Sequence, residues 1–434
     1  VTVRLLVFTR FPEAGRAKTR LIPALGAERA AAVHRSLTAR TLREVEQFRR
    51  SHDAAVEIWF AGGDAPAMRG LFGDGPTYRP QCEGDLGRRI LQALETHAGF
   101  PPTVVIGTDC PDLSAGRIAR AFQALREHDV VLGPALDGGY YLIGLRSPCP
   151  GLFQNIPWGT ADVLAQTQAV AVRERRSVAR LESLSDVDEP ADLIHWRRTV
   201  GEEATEIMCG MISVVVPTLN EEAELSRTLA SLAGEADLEL IVVDGGSVDD
   251  TCAIADGYRA RVLHSTPGRG VQMNAGASAA LGEHFLFLHA DTHLPPGFDV
   301  LIRRTLAEPG TVGGAFRLGI DGPGVAYRMI ECAANLRSER LQRPYGDQAL
   351  FLNRTMFDRV GGFPEWPLLE DVELVRRLRQ LGQIAIVPKA IVTSPRRWQK
   401  RGVVRTTMLN QVILAAHRLG VSPQTLARWY RNLR

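Results

Sequence analysis

The sequence is short of the features that mark several large classes of protein. It has only six cysteines in 434 residues, Cys82, Cys110, Cys149, Cys209, Cys252 and Cys332, spread along the chain with no C-x-x-C pair. That spacing argues against a zinc site and a disulfide framework, and a reducing cytoplasm is the simplest compartment. No apolar stretch approaches the ~20 residues of a membrane-spanning helix; runs such as Val412–Ala416 are far too short. No charged leader with a small-residue cleavage site precedes the first strand-like run, and the first residue is Val rather than Met. Excess charge is lacking too. The formal net charge is +2, so no strong field for nucleic acid is expected.

What is present is globular, with 45% hydrophobic and 23% charged residues. The length suits two or three domains. Short apolar runs alternate with stretches of helical period, the βαβ pattern of a mostly parallel sheet covered by helices. Strands are expected at Val3–Phe8, Ala55–Phe60, Thr103–Gly107 and Val130–Gly133, with helices at Ala27–Phe48, Leu86–His97 and Ser114–Glu127. The pattern restarts at Ile212, with strands ISVVVP, Glu239–Val243 and His284–Leu288 and helices at Glu222–Ala233, Asp249–Tyr258 and Gly270–Leu281. Arg197–Glu206 is polar and lacks strand character, which divides the chain into domains 1–205 and 206–434 and reads as a duplicated architecture. In such sheets ligands bind outside the carboxyl ends of the strands, so chemistry is sought in the loops that follow them.

In the second half, PTLNEEAEL follows the first strand, and LIVVDGGSVDDT ends the next in an acidic, glycine-bearing turn. Such a turn suits a base or ribose; it also suits a helix start capped by Ser247 or Asp249. HFLFLHAD ends at Asp291, a natural ligand for Mg²⁺ or Mn²⁺ held with substrate phosphates, with His293 as a further ligand; a solvated turn is the alternative. Glu370 and Asp371 open an amphipathic helix, where the dipole favours acids. PYGDQALF supplies Gly346, Asp347 and Gln348 before another strand, and SPRRW supplies Arg396, Arg397 and Trp398, whose paired guanidiniums suit a diphosphate leaving group.

In the first half, FTRFPEAGRAKTRL places Gly15, Arg16, Lys18 and Arg20 in a cationic loop before a helix. It suits a di- or triphosphate, lacks P-loop spacing, and is otherwise solvated surface. VVIGTDCPDLS sets Asp109 at a strand end, as Asp291 is set in the second half, and Asp112 follows as a helix-start charge. LDGGYY puts Asp137, Gly138 and Gly139 in a turn between strands, and LSDVDEPADL adds Asp186 and Asp188 before a helix.

From Met211 to about Trp398 the order of VPTLNEE, VVDGGSVDDT, GRGVQMNAGA, LHADTHLPPG, PYGDQALF and GGFPEWPLLEDVEL resembles family-2 glycosyltransferases of the GT-A fold. Within them it looks like the "transferase 2, radical-SAM/selenodomain-associated" subgroup linked to arsenosugar biosynthesis. The resemblance implies that Pro217, Asn220 and Glu221 line the nucleotide pocket and that Asp244, beside Gly246, binds the base. Asp291 would take the metal-binding position, Asp347 and Gln348 would lie at the donor, and Asp371, in the Glu370–Asp371 element, would be the general base. Arg397 and Trp398 look like the end of an R-W motif. The chain departs from the broader family where Asp244-Gly245 replaces paired aspartates and Asp291-Thr292-His293 replaces Asp-x-Asp. Residues 3–196, with IPWGTADVL, resemble the "transferase 1, radical-SAM/selenodomain-associated" family of unknown function, distantly similar to guanylyltransferases. By that similarity Lys18 and Arg20, beside Gly15, would contact phosphates, Asp109 and Asp188 would hold Mg²⁺, and the Asp137–Gly138–Gly139 turn would border the substrate.

The expected fold is thus α/β, with two tandem GT-A-like, Rossmann-like domains of the nucleotide-diphospho-sugar transferase kind. The expected function is a bifunctional transferase acting on a nucleotide sugar or nucleoside triphosphate and a small acceptor, with Mg²⁺ or Mn²⁺. The second domain would transfer a sugar with inversion, and the first would form or handle an activated nucleotide-linked substrate. The alternatives are two glycosyltransferases in sequence, or a first domain that only binds. A non-enzymatic carbohydrate-binding chain would not need strand-end carboxylates beside basic loops in both halves. From Ile391 onward there is no Asp or Glu, and arginines interleave with apolar residues. This tail reads either as a helix packed on the domain or as a basic amphipathic helix on an anionic membrane surface.

Overall fold

The computed structural model describes residues 3–96, 100–232 and 237–432. The chain divides into two compact units, Val1–Ile207 and Met208–Arg434. The first contains β1 (Val3–Arg10), β2 (Ala54–Ala61), β3 (Thr77–Pro80), β4 (Thr103–Ile106), β5 (Val130–Pro134), β6 (Tyr140–Leu145) and β7 (Val178–Arg180), in the sheet order β3-β2-β1-β4-β6-β5-β7. The second contains β8 (Ile212–Thr218), β9 (Leu238–Asp244), β10 (Arg261–His264), β11 (His284–Phe287), β12 (Thr292–His293), β13 (Thr311–Ile320), β14 (Leu350–Asn353) and β15 (Gln383–Thr393). Their order is β10-β9-β8-β11-β14-β13-β15-β12. Numbered from each unit's own first strand and setting aside short β12, the two orders are the same.

The central strands are near-continuous apolar runs because both faces of each sheet are covered by helices. Side chains alternate between the faces with the period of two. Leu5 and Val7 enter one core cluster while Leu6 and Phe8 enter the other, and Val214 and Val216 lie opposite Val215 in the second unit. Each such buried aliphatic side chain contributes about 1.5–3 kcal/mol. The helix Arg269–Ala279 lies down on the second sheet at Gly276, where a Cβ would sit 2.3 Å from Val215 Cγ1; only glycine permits that approach.

Most strand pairs are parallel, as expected, but both sheets are mixed. β6 runs antiparallel to β4 and β5, and β14 antiparallel to β11 and β13, while the other major pairs are parallel. The connection 135–139 between β5 and β6 is too short for a crossover, so the chain can only turn back. Arg197–Glu206, read as a non-strand divider, falls in the helices Leu193–Val200 and Glu202–Ile207. The tail forms the helices Arg396–Arg401, Val403–Arg418 and Pro423–Asn432. Among the described residues no helix is long and apolar enough to cross a membrane.

Candidate active sites

In the first unit the loop after β1 turns back on itself, with the Arg16 and Ala17 amides donating to Glu13 O. Gly15 has φ 82°, and Lys18 takes a left-handed φ of 47° that turns its side chain inward. The Lys18 ammonium lies 2.5 Å from Asp109 Oδ1, after β4, and 2.9 Å from Asp188 Oδ1, after β7. Burial works against the ammonium, but the two carboxylates outweigh it and raise the Lys18 pKa. Burial likewise disfavours the Asp109 carboxylate, and Lys18 with His34 holds its pKa below the ordinary value. Asp109 is buried on one side only. Its Oδ1 faces Lys18 in the interior, while 46% of the side chain is open to solvent. Arg20 reaches Asp188 Oδ2 at 3.6 Å.

These groups line a cleft of about 430 Å³ that also takes in Arg10, Arg16, Gln81 and Arg89. Sequence reading passed over His34, which sits in the helix Ile22–Ser51 with nothing local to mark it. Its Nε2 lies 3.0 Å from Arg10 O, which can only accept, so Nε2 carries a proton, and Nδ1 faces Asp109 Oδ1 at 3.9 Å. Burial lowers its pKa. The Asp137–Gly139 turn lies outside the cleft lining. Asp137 Oδ1 accepts from the Gly139 amide at 2.8 Å, and a Cβ on Gly138 (φ 91°) would meet Ala161 O at 2.2 Å. Asp186 is the carboxylate beside this turn. Burial and the charge of Asp137 push its pKa up to about 6.

In the second unit the loops after β8 and β9 are zipped together. Asn220 N–H donates to Ser247 Oγ, Val248 N–H to Asn220 Oδ1, and Glu221 N–H to Thr251 Oγ1, at 2.8–2.9 Å. Pro217 lies one residue before the end of β8. Asp244 is 2% exposed, and its carboxylate accepts from the amides of Gly246 and Ser247 and from Ser247 Oγ. Burial opposes its ionisation, but these donors win and keep it an anion. Asp244 therefore holds the turn in which Gly246 takes φ 100°. Asp244, Cys252 and His264 bring metal-ligand atoms within 4.8 Å of one another, yet the Asp244 oxygens are already engaged by the turn.

Arg396, at the start of the helix after β15, donates from Nη2 to Glu221 Oε2 and lies 3.3 Å from Asp291 Oδ2. Burial and the nearby Asp291 raise the Glu221 pKa against the pull of Arg396. β12 pairs with Val392 and Thr393 of β15. Thr292 is buried there, strand alternation turns His293 to the opposite side, and Asp291 lies in the turn just before the strand. Asp371 Oδ2 accepts from the Gly346 amide at 2.6 Å and Oδ1 from the Val372 amide at 2.8 Å. Its neighbour Glu370 is buried. Desolvation and the Asp371 charge push its pKa up to about 7, with Arg269 opposing. Arg269 was missed in the sequence. It opens the helix Arg269–Ala279, and its charge acts on both Glu221 and Glu370.

Two positions read from the sequence as donor contacts, Gln348 and Trp398, are placed differently. Gln348 is fully buried. Its Nε2 donates to Phe316 O and Ser338 Oγ, and its Oε1 accepts from Arg337, so it shapes the Gly346–Gln348 turn from behind, with nothing left for a ligand. Trp398 packs edge-on to Tyr327 at 6.2 Å, beside Ile330 and Val403. Two residues along a helix is about 200° of rotation, so the turn that aims Arg396 at the carboxylates aims Trp398 into the core. The side chain of Arg397 lies outside the described residues. Asp347 is half-buried in the turn.

The two units thus share a three-charge arrangement with two signs exchanged. The aspartate after the fourth strand is common to both (Asp109, Asp291). The loop after the first strand carries the cation in one unit and the anion in the other (Lys18, Glu221), and the segment after the seventh does the reverse (Asp188, Arg396).

Comparison with known proteins agrees with this division. Residues 213–363 match the family described as "Glycosyl transferase family 2", and residues 42–160 match "Uncharacterized protein conserved in bacteria (DUF2064)". The second unit is therefore similar to family-2 glycosyltransferases over residues 213–363, and the first is similar to an uncharacterised bacterial family over residues 42–160. In particular, the chain carries a DUF2064 domain followed by a family-2 glycosyltransferase domain. Over 93 residues the chain is 40% identical to a PGL/p-HBAD biosynthesis glycosyltransferase of Mycobacterium tuberculosis, covering 19% of this chain and 36% of that protein. It is 35% identical over 111 residues to the glucosyl-3-phosphoglycerate synthase of the same organism, covering 22% and 34%. The chain thus spans about a third of the length of these curated relatives. A solved structure from Desulfovibrio desulfuricans, provisionally named a nucleotide-diphospho-sugar transferase, is 33% identical, covering 46% of this chain and 87% of that one, with a TM-score of 0.42.

Proposed function

We propose that the second unit transfers a sugar, with inversion, from a nucleotide-diphosphate donor to a small acceptor, and that the first unit forms or handles an activated nucleotide-linked substrate. The observation that carries this is the gathering of Glu221, Asp291 and Arg396 from three separate loops of the second unit, with Asp371 held by the Gly346 amide at the start of the Glu370–Leu378 helix. The zipped loops of Asn220 and Ser247 would bind the nucleoside, and Arg396 with Arg269 would meet its phosphates. An acceptor hydroxyl would pass its proton to the Asp371 carboxylate as its oxygen bonds to the anomeric carbon. The bond from that carbon to phosphate oxygen would break, and the electron pair would leave on the nucleoside diphosphate.

A divalent ion fits the donor set, since Glu221 and Asp291 already gather around a cation, and Asp291 with His293 would hold Mg²⁺ or Mn²⁺. Bound there, it would neutralise charge on the departing diphosphate. In the first unit Asp109 and Asp188 would hold the corresponding ion, and Lys18 and Arg20 would turn to phosphates. The motif segments of the two halves support placing them in the radical-SAM/selenodomain-associated subgroups.

The test is to incubate the whole chain with Mn²⁺ and uridine or guanosine diphosphate sugars, or with nucleoside triphosphates and sugar phosphates, and to measure nucleoside diphosphate and pyrophosphate separately. Nucleoside diphosphate release lost in Asp371→Asn, with pyrophosphate release lost in Asp109→Asn, supports the division of labour. Nucleoside diphosphate release indifferent to Asp371→Asn overturns the second-unit assignment. The shared strand order favours a second reading, in which both units transfer sugars. Asp109→Asn would then lower nucleoside diphosphate release as well.

Two further outcomes follow from the charges. Lys18→Met removes the cation between Asp109 and Asp188, so Mn²⁺ should bind the first unit more tightly than in wild type, on the order of tenfold. Calorimetric titration measures it, and unchanged affinity would show that Lys18 does not compete for these carboxylates. Glu370→Gln tests the raised Glu370 pKa of about 7. A carboxyl that ionises later in the folded state than in the unfolded state favours folding at low pH. That advantage disappears as pH rises through about 7. The variant should therefore match wild type near pH 4 and be more stable above pH 7, by on the order of 2 kcal/mol. Parallel melting curves across that range would exclude a buried neutral Glu370.

A further inference from the structure

Two helices of the second unit bury one face and leave an apolar stripe on the other. In Val403–Arg418 the inner face carries Ile413 and Leu414, which join Leu369 and Leu426 in one cluster with Tyr345 and Val372 packed against it. This accounts for the tail as a packed helix, lodged behind the Glu370–Asp371 element. Its outer face carries Val404, Met408, Val412 and, at the residue just after the helix end, Leu419. The helix Val325–Leu341 buries Tyr327 and Ala334 and exposes Val325, Met329 and Leu336. Spacings of four and seven place each set on a single helical stripe. The two helices are neighbours, since Trp398 and Val403 pack into the cluster of Tyr327 and Ala334.

All seven side chains are between 53% and 86% exposed. Stripes of this kind on a soluble surface mark a place of contact. Charge selects the partner. After Glu373 the sequence has no Asp or Glu, and it has thirteen Lys and Arg residues, among them Lys400, Arg405 and Arg418 around the second stripe. In Val325–Leu341 the two acids, Glu331 and Glu339, are paired with Arg328 and Arg317, so a symmetric contact would set the acid-free segment of one copy against a surface of net positive charge on the other. A surface that takes up apolar side chains and is itself anionic satisfies both features.

We propose that these two helices dock the second unit on an anionic lipid surface, with the apolar stripes entering the headgroup boundary and the cations meeting lipid phosphates. This goes beyond the assignment of sugar transfer and does not depend on it. The whole chain is floated with vesicles of phosphatidylglycerol in phosphatidylcholine, or of phosphatidylcholine alone, in about 50 and about 500 mM salt. The chain should float with the anionic vesicles, at least about tenfold less with the neutral ones, and be released by high salt. Val404→Gln, Met408→Gln and Val412→Gln together should cut flotation by at least about tenfold with the melting temperature near wild type, because more than half of each residue is open to solvent. Absence of flotation, or flotation indifferent to the triple change, overturns the proposal. So does a chain that fails to float but is a dimer in solution and becomes a monomer in the triple variant; the stripes would then be an interface between copies.

Discussion

Asp371→Asn should lower kcat for sugar transfer by roughly 10²–10⁴-fold, the usual worth of a positioned general base, while donor affinity measured by titration stays near wild type. The two effects separate because Asp371 is anchored by the Gly346 amide, whereas the charges expected at the donor are Arg396, Glu221 and Asp291. An amide side chain keeps an oxygen that can accept from Gly346, so the turn should survive; what it loses is the capacity to take a proton. The buried neighbour Glu370 owes its raised pKa to burial and to the Asp371 charge; with that charge removed in the variant it ionises below the wild-type value of about 7 and becomes a substitute base from there upward. The residual activity of the variant should therefore rise with pH more steeply than that of wild type. Full turnover in the variant, or loss of donor binding in step with kcat, would remove the general-base role.

The largest expected effect on stability lies in the first unit, at Arg4→Met. Arg4, on β1, is 1% exposed. Its Nε donates to Glu57 Oε1 at 2.9 Å, and its Nη2 donates to Ala93 O at 2.8 Å and Thr96 Oγ1 at 2.6 Å. Breaking a buried ion pair typically costs about 3–5 kcal/mol because the surviving charge is stranded. Arg79 still pairs with Glu57 Oε2 at 2.9 Å, so the lower end, about 3 kcal/mol, is expected. For a unit of this size that lowers the melting midpoint by roughly 6–12 °C. The lost contacts also release the carboxyl end of the helix Leu86–Glu95, whose opposite end brings Leu86 and Arg89 to the cleft. Scanning calorimetry measures the shift; a midpoint within a degree or so of wild type would show that methionine packing and Arg79 compensate fully.

Much of this architecture was legible in the residues. Runs such as VRLLVF and ISVVVP are apolar apart from Arg4 and Ser213 because covered sheets bury both faces, and they became β1 and β8. The Glu370–Asp371 helix start was readable from its amphipathic period. The reversal of β6 and β14 was less legible, since direction in a sheet follows from the connection rather than from the strand's own residues. Gln348 and Trp398 were misread for a related reason. A polar or aromatic residue beside a motif looks available for a ligand until the turn or helix carrying it is oriented, and both point into the fold. His34 and Arg269 carried no local signal at all.

By itself, then, the sequence determined where strands end and therefore which loops carry Asp109 and Asp291, because side-chain periodicity records which face is buried. Only the tertiary structure decided which charges meet. Lys18 finds Asp109 and Asp188, and Arg396 finds Glu221 and Asp291, across long stretches of chain. Periodicity contains no information about partners that the sheet order alone brings together.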